Sequence, residues 1–320
     1  MTYTNYRKKM NRTMIAAILL DVVLPIFVLI GLGALMQRAF RLDLYTLAKI
    51  NFYYITPAVV FLSMYQSEMS PELLGNVTLF YVLYVLLLYA VSSLVSRRLK
   101  FSRGLKAAFT NSLILDNSGN YGLPINQLAF KGDALATSLQ ALIMTFQSLV
   151  TFTYGVMSVQ RAKSGGTLKA ALIGFLKMPV PYALVLGLAF HVLHLPLPEF
   201  IGKPLAYVSD SMVSVALLTL GAQIVKYPLR LDRFEVYLSV ALRLLIGPAI
   251  GFLLIWLLGL KGIPAQALLI ASGMPTGVNS TILAEEYNNE PDFASQTVLI
   301  STLLNIITIT ALISLSRYVA

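Results

Sequence analysis

The sequence predicts an all-α, polytopic membrane protein of ten transmembrane helices, arranged as two inverted five-helix repeats with the fourth and ninth helices broken. Three observations carry this expectation. Of 320 residues, 57% are hydrophobic and 12% charged, about half the charge of an ordinary soluble domain. Apolar runs of about 20 residues, enough to cross a bilayer, recur ten times. Two of those runs, at matching places in the two halves, are interrupted by glycine, proline and asparagine.

The spans are expected at 15–36, 45–66, 74–96, 105–130, 134–159, 172–194, 204–225, 235–259, 263–287 and 294–317. A basic tail, Met1 to Thr13, precedes the first; the apolar segment after it is long enough to span and has no small-residue cleavage site, so it reads as a span and not a signal peptide. Connections are short except Gln160 to Ala171, which is polar, basic and at the middle of the chain. The organisation is therefore a first repeat over 1–160, a linker over 161–171 and a second repeat over 172–320. The first span of each half carries proline, Pro25 in one and Pro179 with Pro181 in the other. Five spans per half is an odd number, so two such repeats insert with opposite topology.

The fourth span contains Leu-Asp-Asn-Ser-Gly-Asn-Tyr-Gly-Leu-Pro, from Leu115 to Pro124. Glycine costs a helix interior about 1 kcal/mol and proline about 3 kcal/mol, so Gly119, Gly122 and Pro124 mark a helix break. The ninth span repeats the pattern from Ser272 to Asn279, with Gly273, Pro275 and Gly277. Non-helical backbone at bilayer depth persists where it is buried in protein or lines a watery cavity. Matching interruptions in two halves are the sequence mark of a carrier's binding site. The plainer alternative is a pair of kinked helices whose polar groups are satisfied by neighbours.

The chemistry expected at such breaks is anion binding. Each half-helix after a break begins with free N–H groups and about half a positive charge. Asn117 and Asn120 add neutral donors from one repeat, and Asn279, Ser280 and Thr281 from the other, so the substrate expected is a small organic carboxylate. In span 5, Gln140, Met144, Gln147, Thr151 and Tyr154 recur at helical steps on one face, and Gln147 is a further candidate for substrate contact. Ser301, Asn305 and Thr308 in span 10 form a second polar face, for which interhelical hydrogen bonding is the expected role. Asp116, Asp210 and Arg243 lie inside spans and are functional candidates by position. Asp116 is the candidate carrier of a coupling proton; the structural alternative is charge pairing, for instance Asp210 with Arg243. Lys49 and Lys177 sit near span ends, where long side chains reach the interface. His191 and His194 read as interfacial, and Glu285, Glu286, Glu290 and Asp292 as a solvated loop.

Several function classes are excluded. The chain has no cysteine, hence no disulfide framework, thiolate metal site or thiol nucleophile. It has no His-Glu-x-x-His, no Gly-x-Ser-x-Gly and no phosphate-cradling glycine loop with lysine, so neither an enzyme nor a cofactor is expected. The net charge of +10 collects in short loops between spans, which points to the lipid bilayer as partner and not to nucleic acid. Thirteen Lys and Arg fall on one side of the predicted spans and eight on the other. The richer side, with the central linker, is expected in the cytoplasm and both termini outside, in a cell (cytoplasmic) membrane.

These motifs carry a resemblance. Asn-Ser-Gly-Asn-Tyr-Gly-Leu-Pro in span 4 and Met274 to Asp292 in span 9, with its Ala-Glu-Glu-Tyr, resemble the auxin efflux carrier family. Leu24–Phe27, Tyr53–Pro57 and Leu220–Ile224 match as well. The family includes plant PIN-formed auxin carriers and bacterial permeases for malate, malonate and similar acids. The resemblance implies two inverted five-helix repeats with crossing broken helices 4 and 9, a scaffold, and a transport unit that moves like an elevator. It implies that Asn117 contacts the carboxylate and that Gln147 belongs to the substrate site. The chain departs from the plant carriers in its short central loop, in Ser280 where they have proline, and in Glu68 and Glu72, which do not reproduce their acid–lysine pair. The expected function is secondary transport of a small organic carboxylate. The alternatives are a sodium-coupled symporter like the bile-acid carriers and a membrane sensor or partner subunit that binds without transporting. The coupling ion, H+ or Na+, and the oligomeric state, a homodimer included, are open at this stage.

Overall fold

The computed structural model describes residues 18–67, 69–163, 176–226, 229–230 and 232–318. The basic tail, Glu68 and most of the expected linker lie outside the described residues. Among the described residues, seven helices, against the ten spans expected, are long and apolar enough to cross a membrane: α1 (Leu19–Phe40), α2 (Leu44–Tyr65), α3 (Pro71–Arg98), α6 (Ala134–Gln160), α8 (Glu199–Ile224), α9 (Phe234–Leu257) and α12 (Pro291–Ser316). An apolar helix of 14 residues, α7 (Pro179–Val192), lies between α6 and α8. The expected spans 4 and 9 are each divided. The first is α4 (Arg103–Ile114), a wide π turn (Ser118–Gly122) and α5 (Leu123–Ala129). The second is α10 (Gly262–Ser272) and α11 (Val278–Glu286). Among the described residues there is no strand beyond one isolated antiparallel bridge, Asp116 with Thr276.

Side-chain caps end the loops where the sequence supplies them. Asp43 accepts from the Tyr45 N–H at the start of α2 (3.1 Å), and Ser70 from Leu73 at the start of α3 (3.2 Å). Ser102 accepts from Leu105 ahead of α4 (3.2 Å), and Asp133 from Ala136 ahead of α6 (2.9 Å). Each satisfies an N–H that the helix itself cannot, a contribution of about 1 kcal/mol. Pro71 stands at the opening of α3, where its missing N–H is no loss.

Small residues set the closest helix contacts. A Cβ added to Gly33 of α1 would lie 2.0 Å from the Leu218 carbonyl oxygen, and one added to Gly221 of α8 would lie 1.9 Å from that of Ile30. These two glycines thus let α1 and α8 touch backbone to backbone, the packing that drives helix association where lipid removes the hydrophobic incentive. α2 and α7 form the corresponding close pair. Leu20, Leu35, Phe252 and Trp256 point outward and exposed, as lipid-facing side chains must. Polar burial, by contrast, gathers inside: Asn117, Gln140, Gln147, Arg243, Ser301 and Asn305 are all buried.

Five π turns interrupt the helices, at Leu19–Val23, Asn51–Ile55, Ser118–Gly122, Thr151–Gly155 and Leu242–Ile246. A π turn inserts an extra residue and rotates the rest of the helix about its axis. That explains one departure from the expected single polar face on span 5. Met144 and Gln147 line a central cavity, while Tyr154, inside the fourth π turn, lines a separate groove against Tyr89.

Candidate functional site

The two breaks meet. Asn117 N–H donates to the Pro275 carbonyl (2.9 Å), and Gly277 N–H donates to that of Leu115 (2.7 Å). The contact is closer than any side chain at Gly277 would allow, since a Cβ there would stand 2.4 Å from the Asp116 carbonyl oxygen. The non-helical backbone is shorter than the sequence suggested. It covers Leu115 to Asn117 in the first break, and Gly119 and Gly122 lie in the π turn after it, with Pro124 in the opening turn of α5. The second break runs from Gly273 to Gly277 and includes Pro275.

Buried backbone groups need partners, and here side chains from four other helices supply them. Arg243 of α9 is fully buried; its Nε donates to the Met274 carbonyl (2.8 Å), its Nη1 to that of Leu113 (2.8 Å), and its Nη2 lies 3.1 Å from the Asp116 carboxylate. The pairing expected for Arg243 is thereby corrected: its partner is Asp116, while Asp210 is exposed at the middle of α8. Asp116 also accepts from the N–H and hydroxyl of Ser118. Tyr84 of α3 donates to the Ser272 carbonyl (2.7 Å). From α12, Asn305 donates to the Gly273 carbonyl (2.8 Å) and Ser301 accepts from Thr276 N–H (3.1 Å), so the polar face of span 10 holds the second break. Thr276 in turn donates to the Ser112 carbonyl (2.8 Å).

Two glutamines of α6 complete the first break. Gln140 donates to the Ser118 carbonyl (2.9 Å). The Gln147 amide, oriented as its neighbours require, donates to the Ile114 carbonyl (3.2 Å) and accepts from Asp116 N–H (3.1 Å), with its nitrogen 2.8 Å from the Tyr81 hydroxyl. It replaces the hydrogen bonds that a continuous helix would have made.

Beside the crossing lies a narrow cavity with about 450 Å³ of empty space, part of it open to solvent. Its freely accessible part holds about two waters. Asn117, Gly119 and Asn120 line it from the first break, Gly277, Val278 and Asn279 from the second, Met144, Gln147 and Ser148 from α6, and Phe52 and Thr56 from α2. Gly119, Asn120, Val278 and Asn279 occupy first turns, whose N–H groups have no carbonyl one turn back to bond. Asn117 is 5% exposed, and its Nδ2 has no partner among the described residues. Among the described residues no Lys or Arg lines the cavity, and the one acid that does, Asp116, is paired with Arg243.

The structure thus brings Asn117, Asn120, Gln147 and Asn279 to one cavity. Ser280 is buried beside it with its hydroxyl on the Gly277 carbonyl (2.8 Å). Thr281 faces a different small pocket, with Gln223 and Ser295. Phe52 and Thr56 were not singled out as site residues by sequence; the Tyr53–Pro57 motif runs through that turn of α2, but nothing in it says which side faces the cavity. The acids expected in a solvated loop are exposed at Glu285, Glu286 and Asp292 and half-buried at Glu290, and three of them face cations: Glu285 lies 3.2 Å from Lys226, Asp292 3.3 Å from Arg230 and Glu290 3.1 Å from Arg233. Among the described residues no group of three or more His, Cys, Asp or Glu is placed to hold a metal ion.

A bundle of apolar helices around two crossed breaks and a polar cavity is the architecture of a multi-pass membrane protein. The family model described as Membrane transport protein matches residues 18–313, and the chain belongs to that family, which is one of transporters and not of enzymes. A transporter of Methanothermobacter thermautotrophicus, named as uncharacterized, is 24% identical over 295 residues, covering 90% of this chain and 95% of its own. A Rhizobium meliloti protein named "Putative malonate transporter" is 26% identical over 311 residues, covering 92% and 95%. Auxin efflux carrier component 1 of Arabidopsis thaliana is 24% identical over 135 residues, 40% of this chain and 22% of its own. The resemblance read from the break motifs is to this same family.

Proposed function

We propose that the protein is a secondary carrier of a small organic carboxylate, held by Asn117 and the first-turn amides of the two half-helices. The observation that carries this reading is the unpartnered Asn117 amide, buried in a cavity to which both breaks contribute first-turn N–H groups. A carboxylate is the ligand that uses several convergent neutral donors at once. Neutral donors also suit a carrier, which must let its cargo go; a cationic side chain would hold a carboxylate more tightly. The relative named for malonate supports a short acid as cargo.

Helix packing supports the inverted repeat. Exchanging the halves maps span 1 on span 6 and span 2 on span 7. The close pair α1·α8 then maps onto α7·α2, and α3·α4 onto α9·α10, and all four pairs are in contact. In this reading α1, α2, α7 and α8 are the scaffold, the other helices are the transport unit, and an elevator-like movement carries the cavity between the two sides. The membrane is a cell membrane with both termini outside. The linker residue Ser164 lies outside the described residues, so Lys203, exposed at the start of α8, is the position to probe. In this cysteine-free chain, Lys203→Cys is expected to react with an impermeant thiol reagent in intact cells; protection there with labelling after permeabilisation overturns the orientation.

A melting-temperature screen of the purified protein against mono- and dicarboxylates, with and without sodium and at two pH values, tests the substrate class. A short carboxylate is expected to raise the melting temperature in proportion to the logarithm of its concentration above Kd. No response to any carboxylate, with a response to cations or neutral solutes instead, overturns the reading. A response that requires sodium selects the sodium-coupled alternative.

A further inference from the structure

Two basic loops of the described structure are built differently. After α8, Lys226, Arg230 and Arg233 are each matched by an acid of the segment 285–292. Between α3 and the first turns of α4 stand Arg97, Arg98, Lys100, Arg103 and Lys106, with no acid anywhere in the stretch. Among the described residues none of these five has an acidic side chain within ion-pair distance. The chain neutralises one loop itself and leaves the other to something else.

Beside the uncompensated loop is a groove between α3, α4 and α6, with about 810 Å³ of empty space. Arg103 and Lys106 lie three residues apart on one face of α4 and line its charged end. Its other walls are Ala107, Thr110, Met157, Ser158 and the edge-to-face pair of Tyr89 and Tyr154, with ring centroids 5.7 Å apart. Tyr89 lies eight residues before Arg97 on a continuous helix, about 12 Å deeper into the bundle. The groove therefore has a cationic mouth and, below it, a mainly aromatic and apolar floor that also carries the hydroxyls of Thr110 and Ser158.

A water-soluble anion would use the mouth and leave the floor wet; an apolar guest would leave the cations unmatched. An anionic amphiphile fits both ends, and basic pockets between membrane helices are where anionic lipid headgroups are held. We propose that this groove binds an anionic phospholipid, its phosphate between Arg103 and Lys106 and the upper part of its chains against Tyr89, Tyr154 and Met157. The proposal is independent of the identity of the cargo, because the groove shares no lining residue with the central cavity.

The test uses the full chain in detergent with added phosphatidylglycerol, phosphatidylcholine or inorganic phosphate, read by melting temperature and by counting bound lipids in native mass spectrometry. Phosphatidylglycerol is expected to bind and stabilise; phosphatidylcholine and phosphate are not. Arg103→Gln with Lys106→Gln is expected to weaken phosphatidylglycerol binding by about 30-fold. The triple change of Arg97, Arg98 and Lys100 to Gln removes more charge outside the groove and is expected to weaken it less. Equal stabilisation by both lipids, equal stabilisation by phosphate alone, or a triple variant as weak as the double one overturns the proposal. Should the double variant not fold, Arg103→Gln alone, at an exposed position, is expected to show a loss of about fivefold, and unchanged binding there overturns the proposal equally.

Discussion

Arg243→Met is expected to unfold more of the protein than any other single substitution at the crossing. The guanidinium is fully buried and reaches both breaks at once, through the carbonyls of Leu113 and Met274 and the carboxylate of Asp116. Methionine fills much of the space but donates nothing, leaving a buried carboxylate with Ser118 alone and two carbonyls without donors. Removing one partner of a buried ion pair costs about 3–5 kcal/mol, which for a chain of 320 residues corresponds to a fall in melting temperature of roughly 4–7 °C. Asp116→Asn is expected to cost less, because its single amide oxygen still accepts from Arg243 and the guanidinium keeps its two carbonyl partners, while the amide NH2 takes the place of the oxygen that accepted from Ser118. The double variant is expected to be less damaged than the sum of the two, as for any coupled pair. Melting curves of the three variants check this; additive effects would show that the pair is not coupled. The same Asp116→Asn protein decides the proposed coupling role. The contacts of Asp116 favour a fixed charge, so transport by the variant is expected to keep the parent's pH dependence. A lost or displaced pH dependence would instead make Asp116 the carrier of the coupling proton.

Asn117→Ala is expected to weaken carboxylate binding by roughly 10- to 150-fold, the equivalent of losing one hydrogen bond to a charged group, about 1.5–3 kcal/mol. The stability of the empty protein is expected to change little. The Asn117 amide nitrogen bonds no protein atom among the described residues, and its backbone N–H, which pairs with Pro275, survives truncation of the side chain. Arg243→Met and Asn117→Ala are thus opposites: one damages the frame of the site, the other its contents. The measurements are carboxylate affinity and melting temperature side by side. Unchanged affinity in a well-folded Asn117→Ala protein would move the carboxylate away from this side chain, and Gln147 is the next to replace. Gln147→Ala is the less clean test, because it removes two backbone partners of the break along with any ligand contact.

Seven of the ten expected spans were legible as long helices because membrane helices announce themselves by length and hydrophobicity, and the breaks because glycine and proline are costly where they stand. The exact position of the first break was not legible. Gly119, Gly122 and Pro124 suggest one centred there, but the backbone leaves the helix at Leu115, where Gly277 and Pro275 of the other half compete for its hydrogen bonds. A feature fixed by a partner far along the chain leaves little local trace. The same reason hid the true partner of Arg243: two candidate acids stood inside predicted spans, and only the crossing of the breaks brings Asp116 to it. The polar face of α6 was read correctly as far as Gln147 and then lost its register, because the π turn at Thr151–Gly155 has no distinctive composition. Thr281 looked equivalent to Asn279 in sequence, but two residues along a helix is a rotation of about 200°, enough to turn it to a different pocket.

The bridge between Asp116 and Thr276 also has a consequence for biogenesis. A chain made from its N-terminus delivers the first break to the membrane long before the second has been synthesised. During that interval Leu115 and Asn117 lack their cross-chain partners, and Asp116 has no Arg243. The half-made protein therefore holds a charged, unsatisfied segment that the lipid interior does not tolerate. The crossing in this sense ties the first break to the second: Leu115 and Asn117 find these backbone partners only in a chain that reaches Gly277.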